Sequence, residues 1–253
     1  RLTALGRSNT VARWRAVLVL VACLVPPCAV RASETLRIVG ASTILPVARE
    51  AARALSARTG QVFDVTGGGS DLGIEAAATG KASIGMVSRA LHDDEKAKLI
   101  GHLIGRDVVV PIVHVLNPVH NLSEAHLTDI YRGKVHNWKE LGGSDRPLTV
   151  VAKKKGRSTR EIWDRYFELD GSLTEAAHQT GANLASLLFV AADNSAIGYV
   201  SEGTVDGAIK RGIRVRQLSI NGRAAGELRR ADGRALAREL NLVTLGTPSA
   251  AAQ

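Results

Sequence analysis

Four short segments of the sequence combine small hydroxyl residues with glycine, arginine or aspartate. They are Ser42-Thr43, Gly69-Ser70-Asp71, Ser88-Arg89 and Gly156-Arg157-Ser158-Thr159. Each lies between a segment that is typical of a β-strand and one that is typical of a helix. Free N–H groups at a helix N-terminus carry partial positive charge and attract anions. Hydroxyl groups supply further hydrogen-bond donors, and the planar guanidinium of arginine can donate to two anion oxygens at once. The four segments together favour a binding site for a small tetrahedral oxyanion.

The same segments have a simpler interpretation as helix caps. A Ser or Thr that precedes a helix accepts hydrogen bonds from first-turn N–H groups, and proline is favoured at the first helical position. Ser42 or Thr43, followed by Pro46, is therefore the expected N-cap of the first helix. The recurrence of the pattern in four loops, rather than any single loop, favours the anion site.

The sequence signatures of catalysis, metal binding and nucleotide binding are missing from this chain. It has no Gly-x-Ser-x-Gly segment, and its seven histidines form no His-Glu-x-x-His motif. Leu72 occupies the last glycine position of a dinucleotide fingerprint that would begin at Gly67, and Gly80-Lys81 lacks the other P-loop residues. We therefore expect that the protein is not an enzyme and has no catalytic residue, metal or cofactor.

The basic residues are concentrated at the start of the chain. Residues 1–32 contain five arginines and no acidic residue, and Ala16–Val25 is an apolar run too short for a membrane-spanning helix of about 20 residues. This pattern predicts a secretory signal segment over residues 1–32, cleaved after Ala32. Leu20-Val21-Ala22-Cys23 leaves a second interpretation open, a lipoprotein processing box with a lipid anchor on Cys23.

Removal of that segment changes what the composition implies. The whole chain has a net charge of +9 from 33 basic and 24 acidic residues. After residue 32 the counts are 28 and 24, so the net charge falls to +4, and both cysteines (Cys23 and Cys28) are lost. Without an aromatic-rich basic face or a cysteine pair, we expect neither nucleic-acid binding nor a disulfide. The predicted location is the periplasm.

Strand and helix patterns alternate along the rest of the chain and predict an α/β fold with a largely parallel sheet. Ligands bind such sheets beyond the carboxyl ends of the strands. The most apolar strand is expected over residues 108–116 and is expected to pass from one lobe to the next. The other expected strands cover residues 36–40, 61–66, 82–87, 148–152, 196–200, 215–220 and 242–245. The expected helices lie over residues 47–59, 72–79, 123–131 and 160–167. A further helix is expected to begin at residues 93–95, and a turn with a short helix is expected over residues 133–140.

Several longer segments, taken in order, resemble one known family. They are Gly40–Thr43, Gly67–Ser70, Ile84–Leu91, Leu127–Gly143, Ala196–Ser201 and Leu240–Thr244. The chain resembles, over about residues 35–248, the periplasmic phosphate-binding proteins of the high-affinity phosphate ABC transporter. The resemblance implies a two-lobed type II periplasmic binding protein fold, in which each lobe has a mostly parallel sheet flanked by helices. A two-strand hinge would join lobe 1 (residues 33–113 plus 199–253) to lobe 2 (residues 114–198).

The resemblance also implies a set of phosphate-binding residues. These are Ser42, Thr43, Ser70, Asp71, Ser88, Arg89, Arg157, Ser158 and Thr159. The last loop departs from the family pattern, because Arg157 replaces a serine, Ser158 replaces a glycine and Lys153 stands where relatives often have arginine. A carboxylate that accepts the proton of hydrogen phosphate would favour phosphate over sulfate. Asp71 is either that acceptor or a first-turn residue that interacts with its own helix dipole.

The implied function is capture of inorganic phosphate, or a similar tetrahedral oxyanion, between two lobes. A monomer would deliver this anion to the permease subunits of an ABC transporter. Two alternatives remain open. One is a related envelope protein that acts in phosphate sensing or adhesion rather than in transport. The other is a secreted phosphatase with Ser70 or Thr159 as its nucleophile.

Overall fold

The computed structural model describes residues 35–224, 227 and 236–247. The predicted signal segment, its cleavage site and both cysteines lie outside these residues. The strands are β1 Leu36–Gly40, β2 Phe63–Gly67, β3 Ile84–Val87, β4 Ile100–His114, β5 Asn121–Leu122, β6 Thr149–Lys153, β7 His178–Thr180, β8 Ala196–Ser201, β9 Val215–Gln217, β10 Ser219–Ile220 and β11 Ala237–Thr244. The helices are α1 Leu45–Thr59, α2 Ser70–Ala78, α3 Asp93–Lys96, α4 Glu124–Tyr131, α5 Ser158–Tyr166, α6 Asn183–Ala192 and α7 Glu202–Lys210, with a 3-10 helix over Trp138–Leu141.

Nine of the described strands form one mixed sheet. Eight follow the order β2-β1-β3-β11-β4-β8-β6-β7, and β9 pairs with β4. The pairs at the two ends are parallel, namely β1 with β2 and β3, and β6 with β7 and β8. The central strands β4 and β11 run antiparallel to their neighbours. The sheet is thus parallel at its ends, as expected for each lobe, and antiparallel in the middle.

Strand β4 connects the two ends of this sheet. Its first part, from Ile100 to Val108, pairs with β11, whereas Val109–Val113 pairs with β8. The sequence predicted only the second, buried part, because the first part is largely exposed and contains Gly101 and Gly105 instead of a continuous apolar run. The strand therefore begins eight residues earlier than its hydrophobic pattern indicated.

The capping residues predicted from sequence agree with the structure at some helix ends and not at others. Helix α1 ends at Gly60, which adopts the left-handed conformation with φ 72°, as a glycine C-cap does. Ser123 caps α4, because its side chain accepts a hydrogen bond from the N–H of His126 at 3.0 Å. The prediction that Ser42 or Thr43 caps α1 is wrong, since the N-cap is Ile44 and no side chain caps that helix. Helices α6 and α7 were not predicted.

The largest apolar cluster surrounds β4, β6 and β8 and includes aromatic side chains. The indole of Trp163 in α5 stacks on the ring of Tyr199 in β8, with 4.4 Å between ring centroids and 2° between planes. Tyr131 of α4 meets Trp163 edge-on at 5.3 Å. Aromatic contacts of this kind contribute beyond their buried area. They hold α5 against the sheet and thereby fix the position of its N-terminus.

Candidate functional site

Four chain segments meet at one small cavity beyond the ends of β1 and β3. The space that the centre of a water molecule can occupy inside it is about 10 Å³. The lining residues are Ala41, Ser42, Thr43, Gly69, Ser70, Ser88, Arg157, Ser158 and Thr159. Seven of the nine residues that the sequence predicted as ligands therefore line the same cavity. The remaining two, Asp71 and Arg89, do not line it.

Two helix N-termini face each other at this cavity. Ser70 is the first residue of α2 and Ser158 the first residue of α5. Neither N-cap residue, Gly69 or Arg157, caps its helix with a side-chain hydrogen bond. The N–H groups of a first helical turn have no intrahelical partner and suit an anion. The cavity therefore lies where two sets of such donors converge.

Gly69 allows these two loops to approach closely. Its φ is 118°, a conformation that other residues rarely adopt. A Cβ atom at this position would lie 2.7 Å from the carbonyl oxygen of Gly156 and 3.0 Å from Cδ of Arg157. The glycine thus brings the loop before α2 into contact with the loop before α5.

The serine hydroxyls of the cavity form a short chain across it. The backbone N–H of Ser88 donates to Oγ of Ser70 at 3.1 Å. Oγ of Ser88 lies 2.5 Å from Oγ of Ser158. All three side chains are buried. Because Ser88 follows β3 and Ser158 begins α5, this contact joins segments from the two ends of the sheet.

Arg157 supplies a guanidinium group to the cavity wall. The side chain is half-buried, and burial lowers the pKa of its guanidinium. Among the described residues, no carboxylate lies within ion-pair distance of it. An arginine that is partly desolvated and lacks a carboxylate partner is well suited to bind an anion bidentately.

Arg89 and Asp71 belong to a neighbouring charge cluster instead. The guanidinium of Arg89 donates from both terminal nitrogens to Glu95, at 2.7 Å each. Its Nε lies 3.0 Å from the carboxylate of Glu161, and Nη2 lies 3.4 Å from that of Asp71. Asp71 is in the first turn of α2, where an acidic side chain interacts favourably with the helix dipole. Its carboxylate is half exposed and faces an adjoining groove of about 280 Å³.

Arg238 of β11 is a residue of the site that the sequence analysis missed. Its side chain is 1% exposed and pairs with the carboxylate of Asp107 in β4. It also donates to Oγ1 of Thr43 and to Oγ1 of Thr159, both at 2.9 Å. Burial lowers the pKa of this guanidinium, while Asp107 raises it. Arg238 thus contacts hydroxyls that come from two separate walls of the cavity.

Lys153 of β6 is a further basic residue, close enough to Arg157 and Arg238 to interact with their charges. Its ammonium group is buried and donates to the carbonyl oxygen of Ala182 at 3.1 Å and to the hydroxyl of Ser186. Burial, followed by the positive charges of Arg157 and Arg238, holds its pKa well below the usual value. The positive charges that favour an anionic ligand are therefore those of Arg157, which lines the cavity, and Arg238, which contacts two of its hydroxyls.

The sequence contains only a weak signal for Arg238, namely a charged residue beside an apolar segment. Both Arg238 and Asp107 are charged residues next to an apolar strand segment. Their pairing depends on the register of β11 against β4, which aligns residue 238 with residue 107. The two are separated by 131 residues, so no local pattern connects them.

The described residues show neither a metal site nor a membrane span. No group of three or more His, Cys, Asp or Glu side chains in this part of the chain is arranged to hold a metal ion. None of its helices combines the length and the apolar character that crossing a membrane requires. The chemistry of the site is accordingly that of hydroxyls, backbone N–H groups and guanidinium groups.

Comparison with known sequences identifies related proteins. A family model described as a PBP superfamily domain matches residues 29–241. The phosphate-binding protein PstS of Bacillus subtilis (strain 168) is 31% identical over 180 residues, which are 68% of this chain and 58% of that protein. The chain thus spans less than two thirds of the length of this curated relative.

Comparison with solved structures gives matches over most of the chain. A putative phosphate ABC transporter substrate-binding protein from Clostridium perfringens, with bound phosphate, matches with a TM-score of 0.78 and 28% identity. The match covers 87% of this chain and 90% of that one. An ABC-type phosphate transport receptor from Vibrio cholerae matches with a TM-score of 0.65 at 24% identity, over 85% and 88% of the two chains. The second likeness concerns the fold alone.

Proposed function

The chain belongs to the PBP superfamily, and from this membership and its cavity we propose that it is a solute-binding protein for inorganic phosphate or a similar tetrahedral oxyanion. Its α/β architecture is the two-lobed type II periplasmic binding fold that the sequence predicted. We propose that the anion binds in the cavity between the two lobes and is delivered to the permease of an ABC transporter. The lobe boundaries after residues 113 and 198 remain a prediction.

One observation carries this proposal. Hydroxyls from four loops, two helix N-termini and the guanidinium of Arg157 all face one small cavity. A tetrahedral oxyanion has acceptor oxygens in several directions, and such a ligand needs donors that converge from several sides. We assign as ligands the seven residues that line the cavity and were predicted from sequence. Arg89 and Asp71 are assigned only an indirect role, through the charge cluster beside the cavity.

The similar proteins support phosphate as the ligand. The Bacillus subtilis protein is named a phosphate-binding protein, and the Clostridium perfringens structure is described with bound phosphate. One departure in this chain, Arg157 in place of a serine, adds positive charge at the cavity and agrees with an anion of that class. Delivery to a permease, a periplasmic location and a monomeric state are parts of the same proposal.

The make-up of the cavity favours binding over hydrolysis of phosphate esters. Among the described lining residues there is no histidine and no carboxylate. A nucleophilic Ser70 or Thr159 would need such a group as its general base. Turnover of a chromogenic phosphate ester by the purified protein would revive the phosphatase alternative.

Isothermal titration calorimetry tests the proposal directly. The purified chain is unfolded, dialysed to remove bound anions, refolded and titrated with inorganic phosphate. We expect one site, and we expect Ser158→Ala to weaken binding by about ten-fold, the effect of losing one hydrogen bond to a charged ligand. Ser172→Ala, at an exposed position away from the cavity, is the matched control and should bind like the unaltered protein.

The possible results of the titration distinguish an error in the identity of the ligand from an error in the proposed function. Absence of any anion binding would contradict the proposed function. Binding of molybdate in place of phosphate would change the ligand and leave the class of protein intact. Phosphate at about 100 times its Kd should also stabilise the folded protein by about 2.7 kcal/mol, which a thermal denaturation series measures independently.

A further inference from the structure

Arg238 is held in one orientation by contacts on every side. Its Nε donates to Oδ2 of Asp107 at 2.9 Å, and its Nη2 lies 2.8 Å from the same oxygen. The other oxygen of Asp107 accepts a hydrogen bond from the hydroxyl of Ser201 at 2.8 Å. Both charged side chains are more than nine-tenths buried. The guanidinium therefore has little freedom to reorient toward a ligand.

The remaining donors of Arg238 point to the hydroxyls of the cavity. Nη2 donates to Oγ1 of Thr43, and Nη1 donates to Oγ1 of Thr159. A weaker contact at 3.5 Å joins Nη1 to Oγ of Ser158. Each nitrogen of the guanidinium thus has an oxygen partner within the protein. Arg238 acts on a bound anion through these hydroxyls rather than by touching it.

These contacts determine which way the hydroxyl of Thr43 can act. A hydroxyl has one hydrogen to donate and two lone pairs to accept. Oγ1 of Thr43 accepts from Arg238 at 2.9 Å and from the side-chain amide of Asn183 at 3.2 Å. Both lone pairs are therefore occupied by groups that can only donate. The remaining hydrogen of Thr43 is left to donate into the cavity.

The rest of the cavity is also rich in donors. Arg157 and the first-turn N–H groups of α2 and α5 can only donate, and Oγ1 of Thr159 already accepts from Arg238. Among the described lining residues no side chain is a carboxylate. The serine hydroxyls are neutral acceptors, which bind a proton donor more weakly than a charged carboxylate does. A proton on a bound oxyanion therefore meets no strong acceptor.

We propose that Arg238 is a positioning residue that holds Thr43 and Thr159 as hydrogen-bond donors, so that the cavity offers no strong acceptor to a proton on the bound anion and separates sulfate from hydrogen phosphate only weakly. This inference rests on the proposed function and specifies its ligand class. A site with a dedicated polar partner rejects the analogue that cannot use it by about 10⁴-fold or more, whereas a site without one discriminates by about 10²-fold or less. We expect the second regime here.

The pH dependence gives a second, independent readout. A phosphate group gains a proton as the pH falls toward about 6, whereas sulfate stays a dianion throughout this range. Both anions bind beside the same charged groups of the protein, namely Arg157 in the cavity wall and, further away, Arg238, Asp107 of β4 and Lys153 of β6. The ratio of sulfate to phosphate affinity therefore isolates the protonation of phosphate, and it should rise as the pH falls.

Titration calorimetry with inorganic phosphate and with sulfate, at about pH 8 and about pH 6, tests this inference on the refolded chain. At about pH 8 we expect the two affinities to differ by less than about 100-fold. Toward about pH 6 the phosphate affinity should fall several-fold, while the sulfate affinity changes little. A phosphate preference of about 10⁴-fold would overturn the inference and leave the proposed function standing. Failure of both anions to bind would overturn the proposed function itself.

Two variants test the role of Arg238. Arg238→Lys keeps the charge, but one ammonium group cannot serve Asp107 and both threonines at once. The freed hydroxyls can then accept from hydrogen phosphate, so sulfate affinity should fall about ten-fold more than phosphate affinity. Thr43→Val keeps the Arg238–Asp107 pair and removes one donor, so both affinities should fall by a similar factor.

A matched control separates positioning from a purely structural effect. Arg216→Lys changes another partly buried arginine, which donates to the backbone carbonyls of Asn117 and Val119 away from the cavity. It should leave the ratio of the two affinities unchanged. An equal loss of sulfate and phosphate affinity in Arg238→Lys would show that Arg238 only supports the fold, and would overturn the inference.

Discussion

Arg238 and Asp107 face each other across the antiparallel strands β11 and β4, with 2.9 Å between Nε and Oδ2. This pair lies at the centre of the sheet, where β4 passes from one set of neighbours to the other. Through Arg238 it also reaches Thr43 on one wall of the cavity and Thr159 on the other. The same ion pair thus supports the fold and arranges the binding site.

Removal of the charge of Asp107 should destabilise the protein strongly. Asp107→Asn leaves the buried guanidinium of Arg238 without its counter-charge, and loss of one partner of a buried pair costs about 3–5 kcal/mol. Urea denaturation measures the free energy of unfolding. Asp64→Asn, in the exposed pair with Arg37, is the control and should cost less than about 1 kcal/mol. Equal losses in the two variants would contradict this prediction.

Replacement of Arg157 should affect binding more than stability. Arg157→Ala removes a half-buried guanidinium from the cavity wall, and with it a charge-assisted hydrogen bond of about 1.5–3 kcal/mol to the anion. Phosphate affinity should fall by about 10- to 100-fold in titration calorimetry. Lys154→Ala, at an exposed position in the same loop, should bind normally. If both variants bind phosphate like the unaltered protein, Arg157 is not a ligand.

An alanine at position 69 should disturb both the loop and the site. Gly69→Ala forces a residue with a Cβ into φ 118° and brings that Cβ to 2.7 Å from the carbonyl oxygen of Gly156. The expected cost is about 1–3 kcal/mol of stability, and phosphate affinity should fall at least about ten-fold because the starts of α2 and α5 move apart. Gly203→Ala, within helix α7 and with nothing within 4 Å of the added atom, is the control. It should leave phosphate affinity unchanged and raise stability by up to about 1 kcal/mol, because alanine is favoured over glycine in a helix.

Lys153 should make the stability depend on pH. Burial and the neighbouring charges of Arg157 and Arg238 lower the pKa of its ammonium group in the folded protein, whereas the unfolded chain retains a pKa of about 10.4. Between these values the unfolded state binds more protons, so the free energy of unfolding rises with pH. Lys153→Met should flatten this rise at pH values below the unfolded-state pKa of about 10.4. Thermal denaturation at several pH values measures the slope.

The control for Lys153 lies next to it in the sequence. Lys154→Met replaces an exposed lysine and should reproduce the pH profile of the unaltered protein. An identical slope in Lys153→Met and the unaltered protein would show that Lys153 does not contribute to the pH dependence. Because the comparison uses slopes, a constant loss of stability from the lost hydrogen bond to Ala182 does not affect it.

Much of the fold follows from local patterns in the sequence. Gly60 predicted the end of α1, and the alternating residues of β1 predicted its bounds, because both depend on backbone preferences and on burial of one face. The start of β4 could not be predicted, since its exposed part is ordered by pairing with β11 rather than by its own apolar residues. For the same reason, β11 is longer than the apolar segment that indicated it.

The loops that line the cavity could also be predicted from the sequence, but the direction of each side chain could not. The sequence predicts Ser70, Ser88 and Thr159 as ligands because each is a hydroxyl residue between a strand and a helix, and all three line the cavity. The same loops predict Asp71 and Arg89, but these two side chains belong to the neighbouring charge cluster and do not line the cavity. Whether a side chain turns toward the cavity depends on competing partners, and for Arg89 these are Glu95 and Glu161.

The sequence by itself determined the α/β class, the loops that carry hydroxyls and the excess of basic residues, because each of these is a property of neighbouring residues. Only the tertiary structure decided how these groups act. Thr43 was expected to cap a helix, but Arg238, 195 residues away, donates to its hydroxyl. That contact exists because the register of β11 against β4 buries Arg238 beside Asp107, where a desolvated guanidinium must find partners for all its donors.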